Sequence, residues 1–316
     1  MSIGLSSDVQ SGKPAGRVRR RSALARAEMR DGYLMMAPWL FGFIVLLVGP
    51  MVASLVLSFT DWQMLLPPKW IGLQNYVTMF TQDDLIPTSL VNTAFYAFVS
   101  TPLYAFFGLL LGLLMNLDLK GVRVLRTMYF LPSITPVVAA TLLWVLIFQP
   151  DFGLANFLVQ GLGLPKQLWL LDPNESKPVL IFMYLWGVGG SMPIFLAGLK
   201  GIPKEMYEAA VIDGADRWSS LRYVTLPLLS PVLFFVVITG FIGGFQVFTS
   251  AFIATAGGPS NSTMFFVLYL YNSAFQFFKM GYASAMAWLL FVVVLAFTLI
   301  QFAVARRLVY YEESRD

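Results

Sequence analysis

Residues 208–227 read EAAVIDGADRWSSLRYVTLP, a charged, glycine-punctuated stretch between long apolar runs. Three residues separate its Glu-Ala-Ala triplet from Gly214. Nine further residues separate Gly214 from Val224, and one residue separates Val224 from the Leu-Pro pair at 226–227. One apolar run ends at Leu199 before this stretch, and the next begins at Tyr223 within it. The stretch is therefore predicted to be a polar connection between two apolar helices.

Helix signals divide this connection into two parts. Pro203 suits the first position of a helix and Gly214 suits its end, so a short helix is predicted at residues 203–213. Asp216 is expected to cap a second short helix at residues 217–223. Because glycine adopts a left-handed bend without a Cβ penalty, the two helices are predicted to meet at a glycine bend.

The composition indicates a membrane protein. Of the 316 residues, 58% are hydrophobic and 12% are charged, against roughly 25% charged residues in soluble domains. Apolar runs longer than about 18 residues recur, and each can cross a hydrocarbon core as a helix. Backbone amides in lipid must pair internally, so the fold class is predicted to be an all-α integral membrane protein.

The chain contains no cysteine and no histidine. Disulfides, thiol nucleophiles, imidazole bases and metal sites built on these side chains are therefore excluded. No catalytic residue and no metal ligand is predicted, and the chain is expected not to be an enzyme.

Six spans are predicted from the apolar runs. The runs cover residues 33–59, 85–117, 127–150, 178–199, 223–278 and 281–305, and the fifth is interrupted by a turn-rich GGPSNST at 257–263. Residues 1–32 are predicted to be a basic, disordered cytoplasmic tail, residues 33–305 the membrane domain, and residues 306–316 a short cytoplasmic tail.

The distribution of basic residues predicts the orientation. With the N-terminus inside, the inward segments 1–31, 118–126, 200–222 and 306–316 carry 17 of the 21 Lys and Arg residues. The positive-inside rule then puts both termini and the connection at 200–227 in the cytoplasm. Aromatic residues near the ends of the outward segments 60–84 and 151–177 favour an interfacial belt over substrate contact; they are Trp62, Trp70, Tyr76 and Trp169.

The spacing around Gly214 resembles the EAA loop of permease subunits in binding-protein-dependent ABC importers. Further pieces along almost the whole chain resemble the carbohydrate-uptake class of these permeases, similar to the maltose type. They are WIGLQNY (70–76), FLPSITP (130–136), FGLAN (152–156), ATAGGPSNST (254–263) and FKMGYASAMAW (278–288). Val224 stands where isoleucine is commoner.

The resemblance implies that the loop at 200–227 docks on ATPase subunits. It assigns to this contact Glu208, Ala209, Ala210, Asp213, Gly214, Leu226 and Pro227. The sequence has no GxxxxGK[ST] phosphate loop, so ATP is expected on two separate ATP-binding subunits and no cofactor on this chain. The further partners are a second permease subunit, an extracytoplasmic solute-binding protein and membrane lipid. The second permease is expected to be a homologue that forms a heterodimer with this chain. Nucleic acid is not expected as a partner.

A substrate pathway is predicted where spans four and five are interrupted near their middles. The interruptions contain Gly187, Gly189, Gly190, Ser191 and Pro193 in the fourth span, and Gly240, Gly243, Gly244 and Gln246 in the fifth. Broken helices often hold substrate in transporters, although small residues also serve close helix packing. No charged residue lies inside a span, which favours an uncharged sugar as the ligand. The resemblance implies a lining at the positions that line up with the pathway segments of the family: Tyr184, Gly187, Ser191, Gly243, Gly244 and Gln246.

Two other functions compete with a sugar permease. One is an importer permease for a different solute, such as glycerol phosphate, which would require a basic group or a helix N-terminus in the pathway. The other is a membrane-embedded transferase, since DGADRW at residues 213–218 superficially resembles the motif of CDP-alcohol phosphotransferases. The paired aspartates that this motif requires further along are absent, which disfavours the transferase.

Overall fold

A computed structural model describes residues 23–117 and 120–309. The predicted tails at 1–32 and 306–316 therefore lie largely outside the described residues. The chain divides into two compact units, residues 1–53 and 54–316. In the first unit, the described part is helical throughout.

The helices and strands follow one another along the membrane domain. The first candidate span lies within a continuous helical stretch of α1 (Ala23–Gly42), a π-helical stretch (Phe43–Val48) and α2 (Gly49–Leu57). A short antiparallel hairpin and two helices follow: β1 (Thr60–Asp61), β2 (Lys69–Trp70), α3 (Gln74–Thr81) and α4 (Leu85–Met115). Then come α5 (Val122–Phe130), a 3₁₀ turn (Leu131–Ile134), α6 (Val137–Ile147), α7 (Leu154–Gly161) and a 3₁₀ turn (Trp169–Leu171).

The remaining elements carry the loop and the last two spans. The fourth predicted span consists of α8 (Ser176–Leu185), a 3₁₀ turn (Val188–Gly190) and α9 (Met192–Gly201). The loop and the fifth span are α10 (Lys204–Ile212), α11 (Arg217–Ser220), a π-helical stretch (Leu221–Thr225) and α12 (Leu226–Phe245). The chain ends with α13 (Thr249–Ala254), α14 (Phe266–Tyr271), a π-helical stretch (Asn272–Gln276) and α15 (Met280–Leu308).

Within the described residues, four helices are long and apolar enough to cross a membrane, and two more pairs qualify as broken spans. The four are Glu28–Leu57, Leu85–Met115, Arg217–Phe245 and Met280–Arg307. The pairs are Val122–Ile134 with Val137–Ile147, bent by 95°, and Ser176–Gly190 with Met192–Gly201, bent by 42°. The number of spans is therefore four, or up to six if each bent pair is one span.

The third and fourth helical stretches are both broken, and the break in the fourth contacts the third just before its own break. In the third, Thr135 takes an extended conformation before Pro136, as residues before proline tend to do. In the fourth, a Cβ added at Gly189 would lie 1.7 Å from the carbonyl oxygen of Tyr129. The predicted break in the fourth span is confirmed, whereas the one in the third was not foreseen.

The predicted interruption of the fifth span is correct at its C-terminal end, since α12 stops at Phe245 and Gln246 follows it, but it does not begin at Gly240. The helix continues through Gly240 and Gly244, which form a small-residue face against Thr101 and Ala97 of α4. Small residues let two helix backbones approach closely. The run predicted to extend to Phe278 instead leaves the helix after Phe245 and forms short elements.

The end of α12 lies deep in the helix bundle. Its antiparallel contact with α4 pairs Gly244 with Ala97. The part of α4 between Leu85 and Ala97 extends about 18 Å beyond that contact, since a helix rises about 1.5 Å per residue. The segment after Phe245 therefore starts well inside the length of α4.

Candidate functional site: an exposed loop and an uncharged cleft

The bend at Gly214 is a Schellman motif that ends α10. The amide of Ala215 donates to the carbonyl of Ala210 at 2.9 Å, and the amide of Gly214 donates to that of Val211 at 3.0 Å. Gly214 has φ +81° and no atom near a would-be Cβ. This pairing satisfies carbonyls at the helix end, so the glycine stop expected at this position is present.

Asp216 caps the next helix. Its carboxylate accepts a hydrogen bond from the amide of Ser219 at 2.8 Å. Hydrogen bonds from Ser219, first from its side chain and then from its amide, lower the pKa of the Asp216 carboxyl. The cap at Asp216 was foreseen, but a separate helix at residues 217–223 was not correct. The chain continues without a break through a π-helical stretch into α12.

The loop is anchored to the spans by Tyr207. Its hydroxyl lies 3.2 Å from the hydroxyl of Thr225. Its ring packs against the buried cluster that includes Phe195, Leu199 and Leu229. Because Thr225 lies where the fifth span begins, α10 is fastened to spans four and five.

The opposite side of the loop is exposed. Glu208, Ala209, Asp213 and Gly214 are exposed, while Ala210, Leu226 and Pro227 are half-buried. Two large apolar side chains flank this face, Ile212 at 85% and Trp218 at 67% exposed. An acidic residue beside uncovered apolar side chains is a surface suited to a protein partner.

An uncharged cleft of about 170 Å³ lies between α4, the break in the fourth span and α12. Its lining includes Tyr104, Tyr184, Gly190, Ser191, Thr239 and Gly240. The Tyr104 and Tyr184 rings lie with their centroids 5.0 Å apart. The hydroxyls of Ser191 and Thr239 donate to the backbone carbonyls of Val188 and Phe235, which leaves their oxygen lone pairs as acceptors.

The cleft brings together only part of the predicted lining. Tyr184 and Ser191 line it. Gly243 lies on the exposed side of α12, one helical turn beyond Thr239. Gln246 lies at the end of α12, two turns beyond Thr239. Gly244 is buried against Ala97 of α4, so the structure favours a packing role for that glycine.

Gly187 is half-buried in the break of the fourth span but is not among the residues that line the cleft. Sequence reasoning missed Tyr104 and Thr239, which do line it. Both lie inside uninterrupted apolar helices, where only the polar atom of the side chain distinguishes them from packing residues. A search for hydroxyl groups within the spans would have found them.

The charges of the described residues lie away from the cleft. None of the residues that line it is Asp, Glu, Lys or Arg. Among the described residues, no group of three or more acidic side chains is arranged to hold a metal ion. The arrangement offers hydroxyls, aromatic faces and backbone, which bind neutral polar molecules.

A bundle of apolar helices with a broken fourth span, an uncharged cleft and an anchored, exposed loop defines an integral membrane permease. Residues 104–310 match the family of binding-protein-dependent transport system inner membrane components. The chain belongs to that family. It is an integral inner-membrane component of an ABC importer, and hence a transport component rather than a catalytic one.

Named relatives agree with this membership. The probable ABC transporter permease protein YesP of Bacillus subtilis is 40% identical, covering 94% of this chain and 97% of the relative. The trehalose/maltose permease MalF of Thermococcus litoralis is 32% identical, and the lactose permease LacF of Rhizobium radiobacter 34%; each alignment covers 90% of this chain and 97% of the relative.

A solved structure supports the fold. A chain in the crystal structure of a bacterial ABC transporter involved in the import of the acidic polysaccharide alginate matches with a TM-score of 0.80. The match covers 92% of this chain and 100% of that chain at 24% identity. The helical arrangement described above is therefore that of a known importer permease.

Proposed function

We propose that this chain carries a sugar inward across the cytoplasmic membrane, driven by ATP hydrolysis on separate subunits. The observation that carries the proposal is the anchored loop with its exposed face, in a chain of the importer family. Relatives named for trehalose/maltose, lactose and arabinooligosaccharides support a sugar as the substrate. The uncharged cleft supports it as well, since hydroxyls and aromatic faces suit a neutral carbohydrate.

The chain crosses the membrane six times, with both termini in the cytoplasm. Each bent helix pair then counts as one span. The concentration of 17 of the 21 basic residues in the inward segments supports this orientation. It places the loop at residues 200–227 on the cytoplasmic side.

The cytoplasmic loop docks on the ATPase subunits. Glu208, Ala209, Asp213 and Gly214 supply the exposed contact, and Ala210 lies at its edge. Leu226 and Pro227 act from the start of α12, where they carry the loop's movement into the fifth span. The Tyr207 contact with Thr225 supports this role, because a push on α10 is transmitted to α12.

Further subunits complete the importer. Two ATP-binding subunits hold the nucleotide, an extracytoplasmic binding protein delivers the sugar, and a second, homologous permease subunit pairs with this one. A structural neighbour has been crystallised with a periplasmic protein that binds alginate pentasaccharide.

The sugar passes along Tyr184, Gly187, Ser191, Gly243 and Gln246, together with Tyr104 and Thr239. When the two ATPase subunits close on ATP, they bring the docking loops together and the pathway opens to the outer side of the membrane. The binding protein then releases its sugar into the pathway. ATP hydrolysis returns the permease to its inward-facing state. The chain itself makes and breaks no covalent bond in this cycle.

The test is ATPase activity of the purified assembly with a soluble binding protein and candidate sugars. A stimulating sugar identifies the substrate. Gly214→Val is expected to abolish the stimulation while the assembly still purifies, because a β-branched residue does not tolerate φ +81°. Gly214→Asn is the matched control and should retain stimulation, since asparagine adopts this conformation. Purification without any ATPase subunit, or full stimulation of the valine variant, contradicts the proposal.

A further inference from the structure

The hairpin between the first candidate span and α3 carries an uncovered apolar tip. Its strands pair Thr60 with Trp70 and Asp61 with Lys69. The tip at residues 62–68 reads WQMLLPP. Met64, Leu65 and Leu66 are 48%, 94% and 58% exposed. Three consecutive exposed apolar side chains indicate a surface that meets something other than water.

The base of the hairpin lies at the ends of two candidate spans. The first span ends at Leu57, whose carbonyl accepts a hydrogen bond from the hydroxyl of Thr60 at 2.8 Å. The last span begins at Met280, and the amide of Gly281 donates to the carbonyl of Trp62 at 3.3 Å. A Cβ added at Gly281 would lie 1.9 Å from the carbonyl oxygen of Thr60. Span ends mark the membrane surface, so the hairpin is held at that depth.

The hairpin base is also rigid. The buried side chain of Asn75 donates to the carbonyls of Ser58 and Thr60, both at 2.9 Å. The rings of Phe59 and Trp70 stack with centroids 5.7 Å apart. The base of the hairpin therefore holds a fixed position relative to the span ends.

The tip has the chemistry of an interfacial anchor. Pro67 and Pro68 lack amide donors, so fewer backbone groups lose water when the tip leaves the aqueous phase. Lys69 is exposed and can extend its ammonium group toward phosphates. Trp70, 69% exposed, is a residue type that concentrates at membrane–water interfaces.

We propose that the tip at residues 62–68 inserts into the lipid at the membrane surface and anchors the adjoining ends of the first and last spans. Lipid is the occupant because the base lies level with two span ends, where the bilayer itself surrounds the chain. The proposal does not depend on which solute is carried or on which side of the membrane the hairpin faces.

Depth-dependent fluorescence quenching tests this anchor. The chain has no native cysteine, so Leu65→Cys creates a unique site for an environment-sensitive fluorophore on the full chain. The labelled protein is placed in nanodiscs with or without phospholipids brominated near the headgroup. Lys166→Cys, at an exposed position between α7 and α8 and ten residues before the start of α8, is the matched control.

We expect the label at position 65 to have a blue-shifted emission and to lose much of its fluorescence to the brominated lipid, while the label at position 166 loses little. Equal quenching at the two positions would overturn the proposal. Insensitivity to lipid combined with shielding by a soluble binding protein would also overturn it, in favour of a protein-docking tip. If Leu65→Cys does not fold, Leu66→Cys provides the same measurement.

Discussion

At the scale of single residues, Gly189 shows how a small side chain permits the fold. It lies in the break of the fourth span, where the backbone of Tyr129 from the third span crosses it. The contact involves a backbone carbonyl that cannot rotate away as a side chain could. The third and fourth helical stretches can therefore meet only if this position has no Cβ.

Gly189→Ala should destabilise the protein. Its Cβ would stand 1.7 Å from the carbonyl oxygen of Tyr129, and overpacking of this kind costs about 1–3 kcal/mol or more. The expected result is a lower midpoint of thermal unfolding, measured by size-exclusion chromatography of heated protein in detergent. Gly187→Ala is the control, because its nearest neighbour would be the Tyr184 carbonyl at 3.5 Å. Equal midpoints for the two variants would show that the backbones separate easily.

At the scale of elements, the loop and the fifth span act as one unit. Helix α11 continues through a π-helical stretch into α12, and α10 is attached to the same stretch by the Tyr207–Thr225 contact. A π-helical turn often marks a functional site in a helix. A force applied to α10 is thus transmitted both along the chain and across this contact.

Tyr207→Phe should weaken coupling with a small effect on folding. The lost hydrogen bond is worth about 0.5–1.5 kcal/mol, and Thr225 keeps its bond to the carbonyl of Ser220. We expect a lower maximal sugar-stimulated ATPase rate, with the sugar concentration at half-maximum unchanged. Tyr223→Phe, at a position that is 70% exposed, should leave the rate unchanged. Identical rates for both variants would exclude the Tyr207 contact from coupling.

At the scale of the whole molecule, α4 organises the bundle. One of its faces accepts the fourth span, since Gly108 and Gly112 lie against Ser191 and Phe195. Another accepts α12 through Thr101 and Ala97. The cleft forms where these two contacts leave a gap around Tyr104. A change in the angle between spans four and five therefore changes the cleft.

The proposed six-span topology predicts which positions are reachable from outside an intact cell. Asn174→Cys should react with a membrane-impermeant maleimide in intact cells, whereas Glu205→Cys in α10 should react only after the membrane is opened. The absence of native cysteines makes each label specific to its site. Labelling of Glu205→Cys in intact cells would contradict a cytoplasmic loop.

Local signals were sufficient for the loop. The stop at Gly214 and the cap at Asp216 depend on residues within a few positions of each other, so spacing alone predicted them. The break in the fourth span was predicted for the same reason, because glycines and Pro193 are clustered there. The docking assignment of these residues stays a prediction, as does the pathway assignment.

Contacts between distant segments were not predictable in this way. The glycine pattern predicts a break at Gly240 and Gly244, yet both are helical and lie against Thr101 and Ala97 of α4. Tyr104 and Thr239 meet across more than a hundred residues of chain to line one cleft. Their side chains give no local sign of this meeting.

The sequence by itself determined that the protein is a helical membrane protein with a glycine-bent connection before its fifth span, because apolar length, charge placement and turn residues act over short distances. The permease class followed from the resemblance of its motifs to a known family. Only the tertiary structure decided which glycines bend a helix and which pack one, and which hydroxyls share a cleft. The physical reason is that a glycine's effect depends on what lies opposite its missing Cβ, which the neighbouring helix alone supplies.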